Sequence, residues 1–128
     1  MWKNLVSLLF VLISSASLAQ EIEKPIIDFQ SLQKSNWNEQ ELKNAKLITD
    51  FVQNLMNNHN FKYVMAHYND SAYVQHNRNI PDKVDGLVNF LNDFVEDYPE
   101  YSYDVKHIYV DGDFVIFHSH ATLEKDDR

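Results

Sequence analysis

Apolar residues at helical spacing predict the first long helix of the chain. They recur every three or four positions from Leu42 to Met56, which places them on one face of a helix. Asn38 and Glu41 precede this stripe and fit a capping box, in which each side chain bonds the other residue's backbone. The pattern therefore predicts an amphipathic helix that starts after Asn38 and ends at about Asn58.

Two shorter helices follow in the pattern. The segment from Phe61 to Tyr68 comes after a polar break and predicts a second helix. A third apolar stripe begins at Leu87, and Pro99 lies just beyond it. We expect Asp85 to cap this helix, which would run from residue 86 to about residue 98, because the residue before a proline rarely stays helical.

A short alternating segment between the second and third helices predicts a strand over residues 71–76. Side chains on a strand point to alternate faces. One face of this strand would carry Ala72, Val74 and His76, and the other would carry Tyr73 and Gln75, followed by Asn77. Residues 78–83 contain Pro81 and predict a loop.

The segment Tyr101–Glu124 predicts a β-hairpin. Its turn contains Gly112, and glycine adopts positive φ without steric cost. The run that follows is rich in aromatic and β-branched residues, as strands are. One face of this second strand would carry plain packing residues, while the other would carry Phe114, Ile116, His118, His120, Thr122 and Glu124. Because that face changes from apolar to polar along its length, we expect it to form the floor of a pocket.

This order of elements predicts an α+β domain in which three helices gather on one side of an antiparallel sheet. Three strands would make a thin sheet with an exposed edge, which proteins normally cover or pair. We therefore expect the domain, residues 37–128, to be truncated before its last strands. The alternative is a small complete domain whose edge is covered by a second copy or by the leader segment, residues 20–36.

Residues 1–19 have the features of a secretory signal peptide. Lys3 gives a positive start, Leu5 to Ile13 form a short apolar core, and Ser17-Leu18-Ala19 offers small residues where a signal peptidase cuts. The apolar core is too short for a permanent membrane span. We expect cleavage after Ala19 and export to the periplasm or the medium, so the mature chain has no membrane segment. An uncleaved anchor is the alternative.

The charge balance narrows the classes of partner. The chain has 11 Lys and Arg against 19 Asp and Glu, for a net charge of −8, and no cysteine. Nucleic-acid binding needs a basic surface to meet phosphate, so this balance argues against it. Without cysteine, neither disulfides nor thiol chemistry is available.

Three motifs occur in a fixed order along the chain. They are Tyr73-Val74-Gln75-His76-Asn77, then Asp85-Gly86-Leu87 opening a helix, and then Gly112-Asp113-Phe114-Val115 followed by His118-Ser119-His120. Together they resemble the SnoaL-like polyketide cyclase family of the nuclear-transport-factor-2-like superfamily, over residues 39–128. The resemblance implies a long curved antiparallel sheet wrapped around three helices, a pocket inside that cone, and a homodimer.

The resemblance also suggests a chemistry. Enzymes of the family use an aspartate as acid/base in an intramolecular aldol cyclisation, without metal or cofactor. That aspartate follows the His-x-His strand and would lie beyond Arg128. His76, Asn77, His118 and His120 match family positions at or near the pocket, whereas Arg78 replaces a frequent proline. The superfamily also uses this fold for binding alone, so the fold does not decide the function.

An aldol-type step needs a base for a C–H proton and a donor for the enolate oxygen. Imidazole suits either role, because its ordinary pKa is about 6.5. We expect His118 or His120 to be a hydrogen-bond donor or proton shuttle. We expect His76, rather than Asn77, to enter the pocket, because Ala72 and Val74 share its face. The alternative is that these histidines are ordinary polar residues of a cavity.

The remaining pocket prediction concerns apolar residues. We expect Phe90, Phe94 and Ile116 at the pocket beside Asn77. The candidates to line a cavity for a flat apolar ligand are the aromatic residues Phe90, Phe94, Tyr98, Tyr101, Tyr103 and Tyr109. Aromatic residues in such positions are more often plain core. His59, His67 and His107 show no pattern of partners and are expected to face solvent or to lie at helix ends.

A metal site is the rival interpretation. The spacing from Gly112 through His118 and His120 to Glu124 is similar to that of the first cupin motif, and two imidazoles with a carboxylate suit a divalent transition metal. Cupins, however, are all-β barrels with a second histidine motif. The sequence therefore favours a small-molecule pocket without cofactor, in a cyclase, an isomerase or aldol-type enzyme, or in a non-catalytic binding domain.

Overall fold

A computed structural model of the chain describes residues 23–124. The predicted signal peptide, its cleavage site and residues 125–128 lie outside this range. No helix of the described part is long and apolar enough to cross a membrane. The elements, in chain order, are α1 (Phe29–Leu32), α2 (Glu39–Val52), a π-helical segment (Gln53–Asn57), α3 (Phe61–Tyr68), α4 (Lys83–Asp97), β1 (Ser102–Asp111) and β2 (Phe114–Thr122).

The long first helix is confirmed at both ends. The Asn38 side chain accepts from the Glu41 N–H and the Glu41 carboxylate accepts from the Asn38 N–H, each at 2.9 Å, so the capping box is present. At its far end α2 widens into the π-helical segment, which the sequence did not predict. There the Asn58 N–H donates to the Gln53 carbonyl, 2.9 Å away, which is the longer hydrogen-bond spacing of a π-helix.

The strand predicted over residues 71–76 is a loop in the structure. Polar side chains accept hydrogen bonds from backbone N–H groups of this segment. Asp70 accepts from the Ala72 N–H at 2.8 Å, and Gln75 accepts from the Asn77 N–H at 2.9 Å. Such local hydrogen bonds compete with strand pairing. Within residues 23–124, moreover, the two strands of the hairpin pair only with each other.

Helix α4 begins three residues earlier than predicted, at Lys83. Its N-cap is Asp82, not Asp85, and one Asp82 oxygen accepts from the N–H groups of Lys83 and Gln75, each at 2.8 Å. Asp85 lies in the first turn. The loop approaches this turn so closely that a Cβ on Gly86 would lie 2.6 Å from the Pro81 carbonyl oxygen, which explains the glycine.

The hairpin is confirmed, with one irregularity. Strands β1 and β2 pair antiparallel from Ser102 with Thr122 to Asp111 with Phe114, and Gly112 has a φ of 57° in the turn. A bulge between Val105 and His107 adds one residue to β1. Because of it, Val105 and Ile108 are both buried although three positions separate them.

Two apolar clusters hold these elements together. One joins the π-helical segment, α3 and α4 through Leu55, Val64, Val84, Leu87, Val88 and Leu91. The other joins α2 to the hairpin through Ala45, Val52, Val105 and Ile108, with the leader segment packed beside it. The helices therefore lie on one side of the sheet, which confirms an α+β arrangement. The described sheet has two strands, and the cone shape and the truncation stay predictions.

Candidate functional site

The hairpin directs its histidines outward. On β2, Val115 and Phe117 pack against the helices, whereas Phe114 and Ile116 are 74% and 59% exposed. His118 and His120 continue the exposed side. From Phe114 to His118, the face expected to form a pocket floor is therefore the outer face of the described sheet, whereas Thr122 at its far end is buried. Ile116 lies there too, away from the cavity described below, and the supporting roles of His118 and His120 stay predictions.

His118 has a partner across the hairpin instead. Its ring stacks on that of His107, with centroids 5.5 Å apart and an angle of 9° between the planes. Within residues 23–124, no group of three or more histidine, cysteine or acidic residues could hold a metal ion. The structure thus does not assemble His118, His120 and Glu124 into the cupin-like metal site of the rival interpretation.

The loop of residues 71–82 points the opposite set of side chains inward from the set expected. Tyr73 and Gln75 are partly buried, while Val74 and His76 are exposed. Asn77 is exposed as well, but it lines a cavity together with Tyr73 and Gln75. Among the described residues, Asn77 and not His76 therefore contributes to the cavity wall.

This cavity has a volume of about 410 Å³ and lies among α4, the end of α2, the π-helical segment and the start of β1. Phe90 and Phe94 of α4 line it. Its other apolar walls are Phe51, Leu55, Met56, Ile80, Leu87 and Leu91. The size falls in the range of about 300–1,000 Å³ that is usual for small-molecule sites.

The polar groups of the cavity wall form two pairs. On the loop, the Gln75 amide donates to the Tyr73 hydroxyl, 3.2 Å away. At the start of β1, the hydroxyl of Tyr101, which precedes the strand, donates to the hydroxyl of Tyr103 on the strand, 3.0 Å away, and the two rings meet edge to face. Burial, and then the hydrogen bond to Tyr103, raise the pKa of Tyr101 far above its ordinary value, so its phenol keeps its proton at neutral pH.

Asn57 fixes the position of Tyr103. This amide is fully buried at the end of the π-helical segment. Its oxygen accepts from the Tyr103 N–H at 2.7 Å, and its nitrogen donates to the Tyr103 carbonyl at 3.0 Å and to the Pro25 carbonyl at 2.9 Å. One side chain thereby ties the cavity-lining strand to the helical layer and to the leader segment.

A second, larger cavity of about 610 Å³ lies between the leader segment and the open end of the hairpin. His120 lines it opposite its strand partner Asp104, together with Thr122 and residues 23–26. Of the two cavities described, His120 lines this one and His118 lines neither, although the sequence treated the two histidines as one constellation. This cavity is distinct from the aromatic cavity of Phe90 and Phe94.

Sequence reasoning missed three residues that organise this region. Asn57 and Lys24 received no role, and His59, which shows no pattern of partners in the sequence, was expected to face solvent or to lie at a helix end. His59 is instead half-buried, between the π-helical segment and the start of β1, and lies within hydrogen-bond distance of Lys24 and of the Tyr101 carbonyl. Apart from the Met56 carbonyl beside His59, their partners are 32 or more residues away along the chain, so no local spacing signals these contacts.

Comparison with known proteins gives one match. A family model described as the SnoaL-like domain matches residues 48–128. The matched range begins in the second half of α2 and includes the residues that line the aromatic cavity and both strands of the hairpin. No curated protein and no solved structure matches the chain.

Proposed function

The chain belongs to the SnoaL-like domain family, and from this premise we propose that it binds a small organic molecule in the cavity lined by Phe90, Phe94, Tyr101 and Tyr103. The family fold serves both ligand-binding proteins and cyclase- or isomerase-type enzymes. The choice between these two classes depends on which side chains face the cavity.

The composition of the cavity wall is the observation that carries the proposal. Aromatic and aliphatic side chains cover most of it, while the polar groups are neutral: two amides, Gln75 and Asn77, and the phenols of Tyr73, Tyr101 and Tyr103. Such a wall fits a flat, uncharged molecule with an oxygen that accepts hydrogen bonds, such as a ketone or an ester. A charged ligand would lose its hydration without gaining an ion pair.

The phenol pair provides the specific contact. Tyr101 donates to the Tyr103 oxygen, so the Tyr103 proton is free to donate onward. Within residues 23–124, the Tyr103 hydroxyl makes no second hydrogen bond besides the one with Tyr101. A ligand carbonyl oxygen in the cavity would take this place, and the Tyr101 hydrogen bond would strengthen the donor by polarising it.

A cofactor-independent cyclase, isomerase or aldol-type enzyme is the second candidate, and the phenol pair is also what favours it. A donor pair of this kind would stabilise the negative oxygen of an enolate. Such a reaction also needs a base, and the described cavity wall contains no histidine, lysine or carboxylate. Binding is therefore the function that the described residues support best.

Calorimetric titration of the full chain with 1-acetonaphthone, a flat aromatic ketone, tests the proposal. We expect saturable binding to the wild-type protein, and weaker binding after Tyr103→Phe, which removes a single hydroxyl. The loss corresponds to one hydrogen bond, about 1 kcal/mol or roughly fivefold in affinity.

The matched control is Tyr109→Phe, because Tyr109 lies on the same strand but is 54% exposed and outside the cavity. It should bind the ketone as the wild-type protein does. Equal losses for the two variants, or binding of naphthalene as tight as that of the ketone, would show that the phenol pair does not recognise a carbonyl group. Absence of any binding would argue against a pocket for flat ketones.

A further inference from the structure

His59 occupies a strained and crowded position. It follows the π-helical segment and has a φ of 50°, in the left-handed region that few residues other than glycine adopt. Its ring is half-buried and stacks on Phe61, with centroids 6.0 Å apart and nearly parallel planes. A backbone in this conformation persists only where surrounding contacts hold it.

Those contacts determine the protonation of the ring. The Nε2 atom lies 2.8 Å from the Tyr101 carbonyl and 3.1 Å from the Met56 carbonyl, and carbonyl oxygens only accept, so Nε2 carries the proton. The Lys24 Nζ lies 3.0 Å from Nδ1 and 3.2 Å from Nε2. Because Nε2 carries the proton and an ammonium only donates, Nδ1 is the nitrogen that can accept from Lys24, and the ring beside Lys24 is the neutral tautomer.

Lys24 also donates hydrogen bonds to the segment that precedes β1. Its Nζ donates to the Pro99 carbonyl at 2.6 Å and to the Tyr101 carbonyl at 3.3 Å. We call Lys24, His59 and these two carbonyls the Lys24–His59 clasp. It joins the leader segment to the stretch that leads into β1, two residues before the point where Asn57 holds Tyr103.

The charges around the clasp favour its release by acid. Burial, and then the charge of Lys24, lower the pKa of His59, against two hydrogen bonds to carbonyls that raise it. Burial likewise lowers the pKa of Lys24, and the charge of Glu100 opposes this. Glu100 has one buried oxygen that lacks a hydrogen-bond partner among the described residues. The other groups against the ring, Phe61 and the backbone of Met56 and Tyr101, carry no charge.

We propose that the Lys24–His59 clasp positions Tyr101 and Tyr103 at the cavity and that protonation of His59 opens it. A second proton on the ring occupies Nδ1, removes the acceptor of Lys24 and places two cations side by side. Lys24 then moves toward the Glu100 carboxylate, and the leader segment and the start of β1 loosen together. His59 acts through the position of the phenols, so its effect on ligand binding rests on the proposed function.

Amide hydrogen exchange of the full chain measures the opening directly. The reporters are the N–H of Ile27, which donates to Gln53, and the N–H of Tyr103, which donates to Asn57. After correction for intrinsic rates, we expect both to exchange several-fold faster at about pH 5 than at about pH 7.5, with the midpoint below the ordinary histidine pKa of about 6.5. The amide of buried Leu91 in α4 reports global unfolding and should not follow them.

Two substitutions separate His59 from the other histidines. His59→Asn keeps a residue that tolerates the left-handed region but does not titrate, and it should abolish the difference between the two pH values. His67→Asn, on the exposed side of α3, is the control and should leave the difference intact. Lys24→Met should raise the pKa of His59 in an NMR titration, because it removes the neighbouring cation.

The exchange experiments test the opening of the clasp independently of ligand binding. Equal exchange at the two pH values in the wild-type protein, or an unchanged pH response after His59→Asn, would overturn the proposal. An unchanged His59 titration after Lys24→Met would overturn it as well. If 1-acetonaphthone does not bind at about pH 7.5, the proposed function fails, while the exchange data still decide whether the clasp opens.

Discussion

The carboxylate of Glu41 holds the backbone of Gly112, 71 positions further along the chain. One Glu41 oxygen accepts from the Asn38 N–H in the capping box, and the other accepts from the Gly112 N–H at 3.1 Å. The Asn44 amide, one turn later, donates to the Gly112 carbonyl at 3.2 Å. The first turn of α2 therefore holds the tip of the hairpin by hydrogen bonds. At the other end of the contact with the sheet, Asn57 holds Tyr103.

Removal of the Glu41 charge should make the fold less sensitive to acid. The hydrogen bonds from Asn38 and then from Gly112 lower the pKa of Glu41 below its ordinary 4.5. A carboxyl group with a lowered folded-state pKa stabilises the fold above its unfolded-state pKa, and this contribution is lost as the pH falls through the folded-state value. In urea denaturation, Glu41→Gln should lower the midpoint at about pH 7 and flatten its fall below about pH 4.5.

Glu39→Gln is the control, because Glu39 lies exposed in the same helical turn. It should retain the acid dependence of the wild-type protein. If both variants respond to acid alike, the contact between Glu41 and Gly112 contributes nothing specific.

Loss of the Asn57 amide should cost more stability than any neighbouring substitution. Asn57→Ala leaves the N–H and C=O of Tyr103 without the Asn57 partner, and the carbonyl of Pro25 keeps only the Gln53 amide, 3.3 Å away. We expect the free energy of unfolding to fall by about 3 kcal/mol, since each unsatisfied buried group costs about 1–3 kcal/mol. Chemical denaturation followed by circular dichroism measures the change. Asn58→Ala, at the exposed next position, should change it by less than about 0.5 kcal/mol.

Gly86 should not tolerate even a methyl group. The Cβ of Gly86→Ala would lie 2.6 Å from the Pro81 carbonyl oxygen and 2.9 Å from its side chain, so the loop before α4 must move. Such overpacking typically costs about 1–3 kcal/mol, which outweighs the helix propensity gained by replacing glycine. Asn89→Ala, on the exposed side of the same helix, should be neutral or slightly stabilising. A thermal melt of the two variants distinguishes the effects, and a stabilised Gly86→Ala would contradict the close approach.

Ser119 offers a stabilising substitution. Its hydroxyl oxygen is buried on β2 without a hydrogen-bond partner among the described residues. Ser119→Ala removes this unsatisfied group at nearly constant shape, and we expect the free energy of unfolding to rise by about 0.5–1 kcal/mol. Ser71→Ala, in the exposed loop, should have no effect. A destabilised Ser119→Ala protein would mean that the hydroxyl group has a partner in solution.

The fold was predictable where local patterns decide it. The capping box of Asn38 and Glu41 and the helical apolar stripe located α2, and the single glycine of the turn located the hairpin. The strand over residues 71–76 was predicted wrongly because its alternation resembled that of a strand, while the competing bonds of Asp70 and Gln75 have no simple spacing. The bulge in β1 could not be predicted either, because one extra residue does not change the composition of a strand.

The candidate site was less predictable, for a related reason. Phe90 and Phe94 line the described cavity, because a helical stripe next to the core has limited freedom, whereas Asn77 lines it in place of His76, which the alternation of a predicted strand had favoured. The direction of His118 and His120 depended on which face of the sheet the helices cover. That choice is made by long-range packing of Val105, Ile108 and Phe117, and alternation along a strand gives two faces without saying which is inner.

The π-helical turn between Gln53 and Asn57 absorbs one extra residue of the chain, because its hydrogen bond spans one residue more than that of an α-helix. Deletion of one residue here would therefore restore a regular helix with the flanking residues nearly in place. Each residue of a regular α-helix turns the next by about 100°, so deletion of one residue within α2 would instead rotate Asn57 away from Tyr103. Two single-residue deletions test this: the N–H of Tyr103 should keep its protection from exchange after deletion of Asn54 and lose it after deletion of the exposed Lys46.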